Sequence, residues 1–340
     1  MFKISIYGIG NFGFALLKHL SKKADGNEFT VHAYDINKAL RDYLRIKRRH
    51  LLHHKDIRIT KNVIIERNSK DLVQEADVLI LAINSDAIKE VVNSIKSYIN
   101  KKIIILNVAK ALDTKKGERF SIVISKCLKG IKYPFSIAML AGGTIAKDLF
   151  NNEPLGVDIA SMDKKTLKTL KDIFISDNLN VYTTTDLKGV EYAAAFKNVI
   201  SIMAGVMKGL GFSYGSETHI ISRMAGEVKR LVVDNLGGKE KTFSIESQCW
   251  GNDMWMSSTG NTRNREFGIL LGRGYRANKA LAKMKRENKT VEGIHTAKVI
   301  KKIIKNNEKK YPLLYNLYEI VFGLKNPRET ILNLMRSNKI

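Results

Sequence analysis

Lys197 lies in "YAAAFKNVISIMAGVM", residues 192 to 207, where it is the one ionisable side chain apart from the barely acidic tyrosine. Burying an ammonium disfavours its charged form and brings its pKa toward neutrality, which suits a lysine to proton transfer. The segment alone equally allows an amine that snorkels to water along a packed stem. A second set of residues speaks to an anionic cofactor. Gly8, Gly10 and Gly13 in "ISIYGIGNFGFALLKHL" have the G-x-G-x-x-G spacing, directly after an apolar strand and before an amphipathic helix. The first glycine permits a tight turn, the second lets backbone approach a pyrophosphate, and the third lets helix and strand pack closely beside the helix's free amides. Asp35, 22 residues beyond Gly13 at the end of "TVHAY", is placed to accept the adenosine ribose hydroxyls. An acid there repels a 2′-phosphate and Ile36 cannot grip one, so the pair favours NAD over NADP, with Lys38 and Arg41 within reach as the counterargument. Lys110 follows an apolar strand in "NVAKAL" and belongs at its carboxyl end, the rim where doubly wound sheets bind ligands; a plain surface lysine fits the motif as well.

The chain of 340 residues is long enough for two domains, and 44% hydrophobic content with four prolines excludes a disordered class. Cys127 and Cys249 are too few for a disulfide scaffold or zinc cluster and fit a reducing cytoplasm. No apolar run approaches a membrane span, and Met1 leads straight into strand-like sequence. The formal net charge of +25 invites nucleic acid, but the lysines are scattered and no aromatic-and-basic array accompanies them, so none is expected as a partner. His50, His53 and His54 in "RIKRRHLLHHK" have spacings open to a metal; with no acidic or cysteine partner nearby a solvated basic segment accounts for them, and no metal is expected.

These groups need elements to hold them. Apolar runs predict strands at 3–7, 30–34, 63–65, 78–83, 103–108, 137–140 and 181–184, with helices at 11–21, 69–74, 86–98 and 164–176. Alternating strands and helices indicate an α/β, Rossmann-like doubly wound sheet. After Asp186 helical periodicity takes over, which divides the chain into a dinucleotide-binding domain, 1–187, and a mainly α-helical domain, 188–340.

In order along the chain, "GIGNFG", "NVAKALDTKKGERFS", "GVEYAAAFKNVISIMAGVMKGLGF", "TRNREFGILLGRG", "TVEGIHTAKVI" and "LKNPRETILNLM" resemble NAD(P)-dependent glycerol-3-phosphate dehydrogenases of the bacterial type. The resemblance implies a second domain like that of the 6-phosphogluconate dehydrogenase group, and interconversion of dihydroxyacetone phosphate and sn-glycerol 3-phosphate for phospholipid supply. Lys197 matches the family's catalytic acid/base and Lys110 its second lysine, which touches substrate and cofactor. Asp253, in "WGNDMW", matches the acid that orients the lysine or substrate hydroxyl, with Asn198 in the same network. Thr262, Arg263 and Asn264 match the phosphate grip; without the resemblance they read as a solvated, Arg-rich helix start. Gly142 and Thr144 fall in the substrate loop, and Asn11, Phe12, Ala146, Arg263 and Glu292 join Gly8, Gly10, Gly13, Asp35 and Lys110 as cofactor contacts. A homodimer is common in the related fold.

The sequence also departs from the family. The substrate loop reads "AGGTIA", with Gly143 and Ile145 where proline and an aromatic are expected. Asn252 replaces a glycine, Asn84 a proline, and "HLLHH" stands where a Tyr-Leu-Pro-Gly segment belongs. Two alternatives stay open: the same fold acting on another phosphorylated or carboxylated hydroxy compound, and a non-catalytic dinucleotide or nucleic-acid binder.

Overall fold

A computed structural model describes residues 1–24, 29–305 and 307–336; residues 337–340, assigned above to the end of the second domain, lie outside them. The chain forms two compact units. One comprises Met1–Ala109 and Phe120–Leu187, the other Lys110–Arg119 and the chain from Lys188 onward. The short stretch 110–119 therefore leaves the first unit for the second and carries Lys110 with it.

The first unit is built on eight strands: β1 Phe2–Tyr7, β2 Phe29–Tyr34, β3 Val63–Ile65, β4 Val78–Leu81, β5 Ile103–Asn107, β6 Phe135–Ala141, β7 Leu155–Ser161 and β8 Leu179–Thr184. Between them run α1 Asn11–Ala24, α2 Lys38–Lys47, α3 Ser69–Val73, α4 Ile88–Ile95, α5 Phe120–Cys127, α6 Ala146–Phe150 and α7 Lys164–Phe174. The strands lie in the order β3-β2-β1-β4-β5-β6-β7-β8, parallel except where β7 runs antiparallel to β6. β4, "VLIL", is buried at every residue, as a strand covered on both faces requires. Chain order reverses between β1 and β4, and the carboxyl ends of strands at such a switch point are where doubly wound sheets take ligands.

All seven expected strands form, with ends shifted by a few residues. β7 is additional. Its "LGVDIAS" contains a glycine and an aspartate, both poor strand formers, yet Asp158, Ile159, Ala160 and Ser161 are all buried in register against β6. Helices α2, α5 and α6 are likewise additional. In α2 the Asn37 side chain caps the first turn by accepting the Leu40 amide at 3.2 Å, a local signal hidden in a lysine- and arginine-rich stretch.

The second unit is helical: α8 Leu187–Gly209, α9 Tyr214–Arg230, α10 Asp253–Thr259, α11 Arg263–Gly272, α12 Ala277–Arg286, α13 Gly293–Ile303, α14 Pro312–Val321 and α15 Pro327–Arg336. α8 is long and apolar enough by length and composition to cross a membrane, but 94% of its most apolar window is buried within the protein. It is the core helix of this unit, with Ala193 to Phe196 fully buried. α8 and α11 cross backbone to backbone. A Cβ on Gly205 would lie 2.0 Å from the Arg265 carbonyl oxygen, and one on Gly268 would lie 2.0 Å from that of Ile202. Gly209 and Gly272 repeat the contact one turn on, at 2.4 Å from the Ile269 and Val206 oxygens. That crossing brings the start of α11 beside the middle of α8.

Candidate active site

In the second unit, α8 supplies Lys197 and Asn198, α10 supplies Asp253, and the excursion from 110 to 119 supplies Lys110. Asp253 is fully buried and takes one ammonium on each oxygen: Lys197 Nζ donates to Oδ1 and Lys110 Nζ to Oδ2, both at 2.8 Å. Lys197 also donates to Ser257 Oγ at 2.7 Å, one turn beyond Asp253 on α10. With both lysines charged, the trio carries one uncompensated positive charge. Burial lowers the Lys197 pKa from the ordinary lysine value; the Asp253 charge opposes this and the Lys110 charge reinforces it. Burial pushes the Asp253 carboxyl up, but the two ammonium groups outweigh it and hold the group below the usual aspartate range, hence ionised. Glu292, half-buried at the start of α13, adds a weaker upward pull on Lys197.

A chain of amides ties this trio to the expected phosphate grip. Asn198 Nδ2 donates to the Lys110 carbonyl at 2.9 Å, Asn264 Nδ2 donates to Asn198 Oδ1 at 2.8 Å, and Asn264 Oδ1 accepts the Gly293 amide at 2.9 Å. Thr262 Oγ1 donates to the Ser257 carbonyl at 2.7 Å and meets Ser201 Oγ at 3.1 Å. α11 begins at Arg263, whose exposed guanidinium has no hydrogen bond or ion pair among the described residues. A free planar fork beside first-turn amides suits a phosphate dianion. Arg265, two positions on, is instead committed to buried Glu217 at 2.7 Å.

In the first unit, the glycine loop follows β1. A Cβ on Gly8, at φ +99°, would lie 2.5 Å from the Ala82 carbonyl oxygen, and one on Gly13 would lie 2.1 Å from that of Gly8. Gly10 differs: nothing lies within 4 Å of where its Cβ would stand. The loop thus closes tightly at two glycines and opens at the third, beside the amides of Asn11 and Phe12 that begin α1, and it fits a dinucleotide pyrophosphate. Asp35 takes the Ile9 amide on Oδ2 at 2.7 Å and the Asn37 amide on Oδ1 at 2.9 Å, so it also braces the loop. Arg41 is occupied: it donates to the Asp35 and Ile36 carbonyls and stacks 4.7 Å over the Tyr34 ring. In the substrate loop a Cβ on Gly142 would meet the Gly156 carbonyl oxygen at 2.7 Å; Thr144 is buried, and Ala146 opens α6.

Asn252 stands in helical backbone, φ −61° and ψ −54°, where a glycine has no conformational advantage, so that departure brings no backbone strain. His50, His53 and His54 share one turn, but no group of three or more metal-ligating side chains occurs among the described residues. Ser257 and Ser201 escaped the sequence reading. The readable signal for Ser257 was its spacing of four from Asp253 on a helix, which places both on one face.

The comparisons with known proteins point one way. Residues 3–167 match the family model for the N-terminus of NAD-dependent glycerol-3-phosphate dehydrogenase, and residues 186–332 match that for its C-terminus. A Fusobacterium nucleatum glycerol-3-phosphate dehydrogenase (NAD(P)+) is 32% identical over 339 residues, covering 100% of this chain and 98% of the relative. One from Clostridium botulinum is 30% identical over 340 residues with the same coverage of each. The crystal structure of glycerol-3-phosphate dehydrogenase from Coxiella burnetii superposes with a TM-score of 0.87 at 23% identity, over 98% of both chains. With a tight phosphate loop in one unit, a lysine-aspartate-lysine trio in the other, and both halves matched in order, the chain belongs to the NAD-dependent glycerol-3-phosphate dehydrogenase family.

Proposed function

We infer that this protein interconverts dihydroxyacetone phosphate and sn-glycerol 3-phosphate with NAD(P)H, supplying glycerol 3-phosphate for phospholipid synthesis, and that Lys197 is its general acid/base. The observation that carries the residue assignment is the one buried carboxylate of Asp253 shared by the buried Lys197 ammonium and the partly buried Lys110 ammonium.

When bound, the nicotinamide supplies hydride in one direction and accepts it in the other. As hydride reaches C2 of the ketone, negative charge develops on the C2 oxygen. The excess positive charge of the trio stabilises that oxygen, and Lys197 Nζ gives it a proton; in reverse the neutral amine takes the hydroxyl proton back. Burial lowers the Lys197 pKa from the ordinary lysine value, which eases release of the ammonium proton to the developing oxyanion. Asp253 keeps its charge throughout and holds both lysines in place, while Ser257 fixes a second direction of the Lys197 ammonium. Arg263 and the first amides of α11 would grip the phosphate; Thr262, whose hydroxyl donates to the Ser257 carbonyl, anchors that helix start, and Asn264 and Asn198 keep the grip in register with Lys197.

In the same reading the first unit binds the cofactor through Gly8, Gly10, Asn11, Phe12, Gly13 and Asp35. Gly142, Thr144, Ala146 and Glu292 complete the substrate and cofactor contacts. The occupied Arg41 and the acid at Asp35 favour NAD over NADP. A cytoplasmic homodimer completes the proposal: Cys127 and Cys249, both buried, suit a reducing compartment, and sedimentation of the purified protein reads the assembly.

The direct test is the initial rate of NADH and, separately, NADPH oxidation with dihydroxyacetone phosphate, for the intact protein and for Lys197→Ala. Turnover that falls on the order of 10³-fold in the variant supports the assignment. A folded protein that binds NADH but turns over only a different hydroxy compound overturns it.

A further inference from the structure

The turn from 50 to 54, where the family's Tyr-Leu-Pro-Gly segment is missing, makes a specific set of bonds. His50 is 2% exposed. Its Nδ1 accepts two backbone amides, Leu52 at 3.0 Å and His53 at 2.9 Å. A nitrogen facing two N–H donors is the unprotonated one, so the proton sits on Nε2, and Nε2 donates it to the Ile9 carbonyl at 2.7 Å. Ile9 is the middle residue of Gly8-Ile9-Gly10, and its amide already donates to Asp35. The glycine loop is thus clamped at both ends of one residue, by an acid on one side and an imidazole on the other. The His50 ring rests 5.2 Å from Phe14 in the first turn of α1, and His54 Nε2 lies 3.1 Å from Asn11 Oδ1 at that helix's first residue.

We propose that His50 is a positioning residue for the cofactor: by fixing the Ile9 peptide it holds the phosphate loop in its binding shape, and it lets go when its Nδ1 is protonated. A proton there turns an acceptor into a donor aimed at two other donors, so the turn and the clamp cannot both survive. The charged and titratable groups around the ring are Asp35 from the end of β2 and His53 and His54 from its own turn. Burial keeps the imidazole below the ordinary histidine value, and charge on either neighbouring histidine reinforces this. The Ile9 bond and Asp35 oppose it. The clamp is therefore closed at neutral pH and opens on acidification.

The inference rests on the dinucleotide reading, so NADH binding to the unmodified protein is measured first; its absence would defeat that reading itself. Two amide replacements then separate the two ring nitrogens. His50→Asn keeps an acceptor where Nδ1 was but cannot reach Ile9; His50→Gln reaches Ile9 as a donor and does not titrate. With folding checked by circular dichroism, NADH affinity is read by fluorescence from about pH 8 to about pH 5.5. Expected are binding about tenfold weaker in His50→Asn at neutral pH, with the KM for dihydroxyacetone phosphate moved less than about twofold. The unmodified protein should lose affinity for NADH on acidification, and His50→Gln should lose much less. A folded His50→Asn that binds NADH like the unmodified protein, or an acid loss of the same size in His50→Gln, overturns the proposal.

Discussion

Lys110 and Lys197 end on opposite oxygens of the same buried carboxylate, each 2.8 Å from Asp253. Neither lysine is simply neutralised by it, because one anion serves two cations. Burial lowers the Lys197 pKa, the Asp253 charge raises it and the Lys110 charge lowers it further, and each of the two charges can be removed.

Asp253→Asn takes away the charge that pulls the Lys197 pKa up. With Lys197 as the proposed acid the reduction needs it protonated, so the alkaline limb should move to lower pH. Activity at neutral pH should fall on the order of 10²–10³-fold. Lys110→Met removes a charge that pushes the Lys197 pKa down, so the same limb should move to higher pH. The measurement is kcat/KM against pH for both variants; limbs that move together, or not at all, would show that Lys197 is not the titrating acid.

The arginines at 263 and 265 should separate into a ligand-binding and a structural residue. Arg263→Ala removes a guanidinium with no intramolecular partner among the described residues, so the fold should be unaffected. The KM for dihydroxyacetone phosphate should rise about 10²-fold, while the slow reduction of unphosphorylated dihydroxyacetone should be nearly unchanged.

Arg265→Ala leaves Glu217, 2% exposed, without its 2.7 Å partner. An uncompensated buried carboxylate costs about 3–5 kcal/mol. Thermal melting should drop by several degrees, with little change in substrate KM in the protein that remains folded.

Glu227, on α9, accepts the Leu313 and Leu314 amides at 3.1 and 2.7 Å at the start of α14, and burial pushes its pKa up to about 7. Its folded value exceeds its unfolded one, so folding favours the protonated form. The contribution to stability is complete below about pH 4.5 and is lost as pH rises through about 7, at most about 3 kcal/mol in all. Denaturant melts across that window should show stability of the unmodified protein falling with pH relative to Glu227→Gln. The opposite slope would mean that the two amides hold the carboxylate ionised.

The parts of this molecule legible in its sequence are those whose signal is local. The glycine loop, the strand before it and Asp35 declare themselves by spacing, and Lys197 by its apolar setting. What could not be read is set by distance along the chain. Asp253 and Lys110 are 143 residues apart, so no window joins them. The 110–119 stretch follows β5 in sequence but belongs to the helical unit, and nothing in its composition announces the move. β7 hides because Asp158, a poor strand former, is tolerated in a paired, buried setting. His50 reads as one basic residue among many until its three backbone partners are seen.

The glycine contacts between α8 and α11 have a consequence for which molecules are accepted. Lys197 lies on one of these helices and Arg263 opens the other, so the gap from the proposed proton donor to the proposed phosphate grip is a distance between two backbones. No side chain separates them at Gly205 and Gly268, and none can yield. The crossing works as a gauge block. A single methyl inserted there would act as a shim, changing the length of substrate that spans the two groups while leaving the groups themselves intact. Selection by length then resides in residues that carry no chemistry at all.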